Sequence, residues 1–561
     1  MSLWISVQSM TSHRKILLAA EAAILVLLAG LFIIFETVEF KSPGIISQGY
    51  YDQCGAEHLV KVLNRHSLAE VFTSGKLVKS HGYHGELLSY LMVLPLVLLG
   101  FKWYVVKLFY LSFALLGLCV MYLLLRENTT RPIALLAAVL LVFHVGYLVG
   151  IRMGPKYVTP MHFFTLLPLL FFNRWLWSKG PRYFYATALF LGLGLCTRLW
   201  YLWFLNAFVI AGLSCFNRFW GVWGGYNQRT KALFLAISAG CFVAGSALLF
   251  YRDLSGGFKS VRVVIARAQK TPEERQGSET GYLMRMNMVL NNFNGMLSGE
   301  NLSTELLGRK PFARVNRGFP LVFWSFYFLC VPFLFSAERV SLFMRQIWVL
   351  FTVMLLQMGM MRSYIPDLHV FILYPFPQMI IAGGMLSLFR TLRGLPWKSL
   401  VGVAVAVLVL MEARSAVLFM ERFVRECRKG LRADIIYPMA DDLMRMRSES
   451  KRIVFLEWAS RVSAYYVHPE LKDTMTMDIR TDYTRDFASV NLDDVLIVSW
   501  AGDKMIEQGG EVKYRIGGRL EEWVSHRNRE LTVVKEYKTS QGETVYAAWA
   551  MPLRNATNRT R

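Results

Sequence analysis

Charged residues are scarce in this chain: 18% of its 561 residues are Asp, Glu, Lys or Arg, against 54% hydrophobic. A soluble chain of average usage carries about a quarter charged residues, so that class is excluded. Paired cysteines are missing as well. The seven stand singly, at Cys54, Cys119, Cys196, Cys215, Cys241, Cys330 and Cys427. With no CxxC and no Cys/His cluster, neither a structural zinc site nor a redox motif is indicated. All but Cys54 and Cys427 fall in apolar blocks, where a lone cysteine behaves as a small hydrophobe. No GxGxxG and no P-loop occurs, so no nucleotide site is assigned and no nucleotide cofactor is expected. Internal repeats and low-complexity segments are absent too.

What the chain has instead is length in its apolar runs. They fall in blocks of roughly 17–25 residues, enough to cross a bilayer as a helix, whereas a soluble core would show stripes of period 3.6. Net charge is +23, from 62 Lys and Arg against 39 Asp and Glu. Cytoplasmic loops of membrane proteins retain Lys and Arg, but several long non-membrane segments are basic too. That fits either a solvated basic surface or an anionic partner at the membrane, such as a lipid phosphate. No nucleic acid partner is expected.

The first apolar block, Lys15–Phe35, follows His13-Arg14-Lys15 and is too long for a signal-peptide core, so it reads as a retained anchor with a cytoplasmic N-terminus. Glu21 lies inside it, either a functional carboxylate or one that reaches the interface. A long outer segment follows over 36–100 and ends in the apolar run Glu86–Gly100, too short to span and read as a helix dipping into the outer leaflet. Further spans are expected at about 103–124, 133–150, 158–174, 183–197, 199–216 and 231–250. Their connections Arg126–Arg131, Asn173–Arg182 and Asn217–Lys231 carry the charge of an inner face. A second outer loop over 251–317 precedes spans at about 319–336, 344–361, 369–388 and 399–420. Within it, Lys270–Gly277 reads as a mobile gate for substrate.

From about Val424 the composition becomes that of a soluble domain. Strand-type runs recur at Arg452–Leu456, Asp494–Ser499, Leu531–Tyr537 and Val545–Ala550, with helical stretches at Ala440–Ser448 and Leu520–His526 between them. The expected fold class is therefore a polytopic α-helical membrane protein of about eleven spans with a small C-terminal α/β soluble domain. The domain division is 1–421, transmembrane, and 422–561, soluble and on the outer face.

The outer loop after the first helix holds Asp52 and Glu57, and farther on Lys76, Lys79, His81, His84 and Glu86. A carboxylate and a basic cluster at one interface suit transfer from a phosphate-linked lipid. The carboxylate takes a proton from a hydroxyl or amine, and the cations neutralise charge growing on the departing phosphate. Read alone, a loop aspartate beside tyrosines is more often a cap or a hydrated surface group. The run Trp200-Tyr201-Leu202-Trp203-Phe204 reads as interfacial belt or helix packing.

These residues resemble the GT-C membrane glycosyltransferases, specifically the protein O-mannosyltransferase and lipid A aminoarabinose transferase group. Tyr51-Asp52-Gln53 is similar to the Tyr/Phe-Asp-Glu motif that opens the family's first outer loop, and His84 through Tyr90 to the stretch that closes it. Arg362-Ser363-Tyr364, then His369 through Tyr374-Pro375-Phe376-Pro377, resemble the entry to a late helix. Three departures stand out. Gln53 replaces an acidic residue, two prolines near Gly85 are missing, and Arg152-Met153-Gly154-Pro155-Lys156-Tyr157 is basic where relatives often carry an acid.

The resemblance implies a polyprenyl-phosphate-linked sugar donor, a glycan, lipid or protein acceptor, and inversion at the sugar carbon. It implies Asp52 as the catalytic base and Lys79, His81, His84, Arg362 and His369 as holders of the donor phosphate. Glu57, Glu86, Arg152, Lys156, Tyr157 and Arg198 form a wider set around the site. No metal ligand is assigned, and a divalent ion stays open because relatives differ in that respect. The expected location is a bacterial inner membrane, N-terminus inside and C-terminal domain periplasmic, with the endoplasmic reticulum as the alternative. Rival readings are a flippase or transporter, a polymerase or ligase of lipid-linked saccharides, or a non-catalytic scaffold. A transporter would place polar groups deep in the spans, and few deep charges are expected.

Overall fold

The computed structural model describes residues 2–38, 56, 59–60, 87–100, 102–153, 155–198, 200–255, 258, 262, 282–299, 318–336, 338–360, 370–392, 394–426, 436–448, 452–455, 471, 475–476, 495–500, 505–508, 511–514, 524–525, 527, 529, 531–538 and 544–551. The first long helix, α1 (Ser2–Thr37), is followed by α2 (Leu87–Leu99), α3 (Trp103–Asn128), α4 (Arg131–Val142), α5 (Val145–Met153) and α6 (Pro155–Ser178). Next come α7 (Pro181–Leu195), α8 (Tyr201–Leu213), α9 (Phe216–Gly224), α10 (Gln228–Gly245), α11 (Ala247–Ser255) and α12 (Tyr282–Ser298). The last group is α13 (Phe319–Leu329), α14 (Arg339–Met360), α15 (Phe376–Thr391), α16 (Leu395–Glu426) and α17 (Ile436–Ser448).

Among the described residues, five helices are long and apolar enough to cross a membrane, or up to seven if each of two bent pairs counts as one span. The pairs are α4 with α5, bent by 54°, and α8 with α9, bent by 75°. Both depart from the sequence reading. The span expected at 133–150 is broken, and the link expected at Asn217–Lys231 contains α9 and the start of α10. Burial divides the spans by position: Phe371–Thr391 is 94% buried inside the bundle, whereas Ile16–Thr37 at its edge is 17% buried. The small residues allow close approach. A Cβ on Gly192 of α7 would meet the Phe242 carbonyl of α10 at 2.3 Å, and one on Gly194 would meet the Tyr201 ring at 2.2 Å. Glycine is thus required at both positions, as at other helix crossings in lipid. Tyr201 itself is buried and donates to the Phe164 carbonyl at 2.6 Å, so that part of the aromatic run is helix packing.

The bundle has two distinct ends. At one, the basic connections meet: Arg174 pairs with Glu127, Arg218 donates to the Leu176 carbonyl, Tyr226 to the Lys179 carbonyl, and Arg390 pairs with Glu338. At the other, the segments 39–86 and 361–369 leave α1 and α14. The short α2 belongs to this loop end. Its 13 residues reach about 20 Å, less than a bilayer's hydrocarbon core. Leu88, Met92 and Leu96 face inward, while Leu94, Leu98 and Leu99 are exposed.

The C-terminal region forms a five-stranded mixed sheet in the order β2-β1-β3-β7-β6. Its strands are β1 (Arg452–Phe455), β2 (Met475–Thr476), β3 (Val495–Trp500), β6 (Thr532–Lys538) and β7 (Thr544–Ala550), with β4 (Met505–Gln508) and β5 (Glu511–Tyr514) as a separate hairpin. The pairs β1–β2 and β1–β3 are parallel, and β3–β7 and β6–β7 antiparallel. Helix α17 lies against the sheet, and its Asp442 takes both Lys535 of β6 and Arg445. One apolar cluster joins Leu88, Met92 and Leu96 of α2 and Val106 and Tyr110 of α3 to Leu443, Phe455, Val498 and Tyr537. Burying that face against the sheet keeps α2 at the loop end.

Candidate functional site

Apolar helices have no cheap place for an isolated charge, so charged side chains inside them mark positions that are paired or used. Three such residues meet at the loop end. Glu36, in the last turn of α1, is buried, and its Oε2 lies 3.9 Å from Arg152 Nε. Arg152, in the last turn of α5, is also buried; its Nη1 donates to the Val38 carbonyl at 3.0 Å. The guanidinium carbon sits 4.3 Å from the Phe423 ring of α16, a stacking contact that Arg makes and Lys does not reproduce. Lys107 of α3 is the third member and acts electrostatically on both. Glu36 Oε1 has no hydrogen-bond partner among the described residues.

Two cations and one carboxylate thus stand where the first long segment leaves α1. In a low-dielectric setting a fixed guanidinium interacts with an anion far more strongly than in water. The geometry suits a bidentate partner such as phosphate.

Arg198 is buried in the corner between α7 and α8. The Leu87 amide, at the start of α2, donates to the Cys196 carbonyl at 3.3 Å, two residues away from Arg198. The close of the first long segment is therefore tied to the Arg198 corner. Lys156 and Tyr157 lie in the first turn of α6, four and five residues after Arg152 in sequence. Asp52, Glu57, Lys79, His81, His84, Glu86, Arg362 and His369 lie outside the described residues, as do Lys270–Gly277.

A second polar group runs through the middle of the bundle. Glu412 Oε2 of α16 lies 3.2 Å from His144 Nδ1, and Tyr374 Oη lies 2.6 Å from His144 Nε2. All three are buried. The two ring nitrogens of His144 thus face different partners, Nδ1 the carboxylate and Nε2 the phenol. His144 sits at the break between α4 and α5. Beside it Tyr147 stacks on His162 with ring centroids 5.6 Å apart, and His162 Nε2 lies 2.9 Å from the Phe371 carbonyl. The expectation of few deep charges is corrected by these residues and by Glu36, Lys107 and Arg152. Sequence reading passed over Glu36, Lys107, His144 and Glu412. The available signal was a single ionisable residue inside a long apolar run.

Glu21 is resolved as a paired group. It takes a hydrogen bond from Tyr122 and lies 2.8 Å from Arg126 Nε and 3.6 Å from Arg131 Nε. Among the described residues no group of three or more His, Cys, Asp or Glu side chains has the spacing to hold a metal ion.

The fold these elements build is that of the GT-C membrane glycosyltransferases. The chain is similar over almost its full length to ArnT from Cupriavidus metallidurans. The apo form of that protein matches with a TM-score of 0.55 at 12% identity, covering 96% of this chain and 98% of ArnT. Its form bound to undecaprenyl phosphate matches at 0.54 and 12%, covering 95% and 97%. The oligosaccharyltransferase of Archaeoglobus fulgidus gives 0.49 at 12%, over 89% of this chain and 74% of that one, a likeness too loose to bear on the site. No protein-family model and no curated protein matches the sequence.

Proposed function

We propose that the chain is a glycosyltransferase that moves a sugar from a polyprenyl-phosphate-linked donor to an acceptor at the outer membrane face. The observation that best supports this is the end-to-end likeness to ArnT, a protein with a form bound to undecaprenyl phosphate. In this reading Asp52 takes the proton of an acceptor hydroxyl or amine as that atom attacks the sugar's anomeric carbon. The bond from that carbon to the phosphate oxygen breaks, and the polyprenyl phosphate leaves with the electron pair. Direct displacement inverts the carbon. Arg152 and Lys107, with Lys79, His81, His84, Arg362 and His369, hold the phosphate and offset its growing charge. Glu57, Glu86, Lys156, Tyr157 and Arg198 line the surroundings. The acceptor is a glycan, a lipid or a protein. The proposed division is a membrane domain over 1–421 and a soluble domain over 422–561, periplasmic in a bacterial inner membrane with the N-terminus inside.

A transporter of lipid-linked saccharides is the second reading, favoured by the buried Glu412–His144–Tyr374 group at a helix break. Sugar transfer in detergent separates the two, because no transport occurs without a membrane. Purified wild type and Asp52→Asn are compared with a pool of polyprenyl-phosphate sugars and varied acceptors. The transferase reading expects turnover in the wild type and a loss of at least about 100-fold in the variant. Equal turnover in both would remove Asp52 from the mechanism. Donor binding with no turnover by the wild type against any acceptor would favour the transporter.

A further inference from the structure

The basic end carries an arrangement that sugar transfer at the opposite end does not use. Trp177, near the end of α6, is half-buried and has two arginines over its ring. The Arg218 guanidinium carbon lies 4.3 Å from the ring centroid and that of Arg339 5.1 Å. They come from different elements, α9 and the first turn of α14, and share one ring, so that Arg339 feels both the attraction of Glu127 and, more weakly, the repulsion of Arg218. Glu127, which attracts Arg339, is itself paired with Arg174, and Glu338, next to Arg339 in sequence, with Arg390. Among the described residues neither Arg218 nor Arg339 has an ion pair of its own.

The surroundings fix this pair in place. Arg218 Nε donates to the Leu176 carbonyl at 3.2 Å, Cys215 Sγ contacts the Leu342 carbonyl, and Arg345 Nη1 donates to the Leu334 carbonyl at 2.9 Å. The bend of 75° turns α9 across the end of the bundle. Phe216 and Trp220 of α9 stack with centroids 5.5 Å apart, and both are exposed. An aromatic face turned outward with cations beside it is how a short helix lies at a membrane–water boundary.

We propose that Arg218, Arg339 and Trp177 form a binding site for the phosphate headgroup of an anionic glycerophospholipid in the leaflet at the basic end. The phosphate bridges the two guanidiniums and relieves their repulsion. The acyl chains run down past the exposed Phe216 and Trp220. Basic pockets between membrane helices take anionic lipids in this way, and arginine stacked on indole presents its donors edgewise to phosphate. This site is independent of the donor-phosphate position near Arg152.

The test is native mass spectrometry of the full-length protein with phosphatidylglycerol and phosphatidylcholine at equal concentration. The wild type is expected to retain phosphatidylglycerol roughly fivefold or more over phosphatidylcholine, the scale set by one to two arginines at an anionic headgroup. Arg339→Gln, at an exposed position that does not endanger folding, should cut that preference by at least half, and Arg218→Gln with Arg339→Gln should abolish it. A control pair, Arg229→Gln with Lys231→Gln, removes equal charge from the same end and should leave the preference intact. The proposal is overturned if the double variant keeps the preference, or if the control pair loses it equally, which would mean bulk charge only. It is also overturned if millimolar inorganic phosphate displaces the lipid as readily as added phosphatidylglycerol does, because the site would then read free phosphate.

Discussion

Glu21 and Glu36 lie on one helix about four turns apart, both buried and both facing arginine, yet they are handled differently. Glu21 takes a tyrosine hydroxyl and two arginines, with Arg126 Nε at 2.8 Å. Glu36 meets Arg152 Nε at 3.9 Å, and each of the two glutamates keeps one carboxylate oxygen, Oε2 of Glu21 and Oε1 of Glu36, with no hydrogen-bond partner among the described residues. Glu21 is held by a short ion pair and a hydroxyl, as a structural tie is. Glu36 is held at a looser distance, against an arginine stacked on Phe423 and with Lys107 near. The first helix thus carries its tighter charge pairing near the basic end and its looser one at the loop end.

Arg152→Gln should produce the largest effect. Transfer is expected to fall by about 10²–10³, the usual cost of one charge-stabilising donor, measured as kcat/KM for the donor lipid. Stability should fall as well, by roughly 3 kcal/mol, because the buried Glu36 loses the larger of its two cationic neighbours and keeps only Lys107. Combining it with Glu36→Gln separates the two roles. The double variant removes both charges, so its thermal midpoint should recover most of the loss while transfer stays low. Recovery of both would make Arg152 a structural partner of Glu36 and nothing more.

At the other end, Glu21→Gln should cost about 1–2 kcal/mol in unfolding free energy, with kcat/KM per folded molecule unchanged. The smaller figure follows from exposure. Arg126 and Arg131 keep about a third of their side-chain surface open, so each can turn to water or lipid phosphate when the carboxylate is gone. A tenfold loss of transfer from Glu21→Gln would erase the distinction between the two ends.

How far the sequence reaches follows the same line. The membrane class was legible because crossing a bilayer imposes a run length, and the blocks expected at Lys15–Phe35, 103–124 and 344–361 overlap the long helices Ile16–Thr37, Tyr104–Asn128 and Arg339–Met360. The four strand-type runs of the C-terminal region overlap β1, β3, β6 and β7, because period-2 alternation reports which face is buried. Breaks were not legible. The run 133–150 is apolar apart from His144, and nothing in it discloses that His144, at the break, meets Glu412 and Tyr374, more than 200 residues away in sequence. The order β2-β1-β3-β7-β6 was equally hidden, since alternation does not name a pairing partner. Arg152 was legible as a candidate by its motif, whereas Glu36 and Lys107 were lost at the edges of apolar blocks. His144→Phe should test how much the break depends on its contacts. It takes the His144 contact away from the buried Glu412, so a loss of roughly 3 kcal/mol is expected. Double substitution with Glu412→Gln should return part of it.

Burial without pairing also operates outside the membrane, at smaller scale. Tyr537 of β6 packs into the cluster that joins the sheet to α2 and α3. Burial pushes its hydroxyl up to about 12, against a partial opposing pull from Arg445. An unfolded tyrosine ionises near 10. Below about pH 10 the group is neutral in both states and contributes no pH dependence. As pH rises from about 10 toward 12 the unfolded chain gives up the proton while the folded domain holds it, so stability falls across that window. Limited proteolysis within 427–451 should therefore accelerate above pH 10 in the wild type, with a flatter profile in Tyr537→Phe. Phenylalanine fills the same place and has no proton to lose, so an unchanged profile in that variant would assign the alkaline loss to groups other than this one.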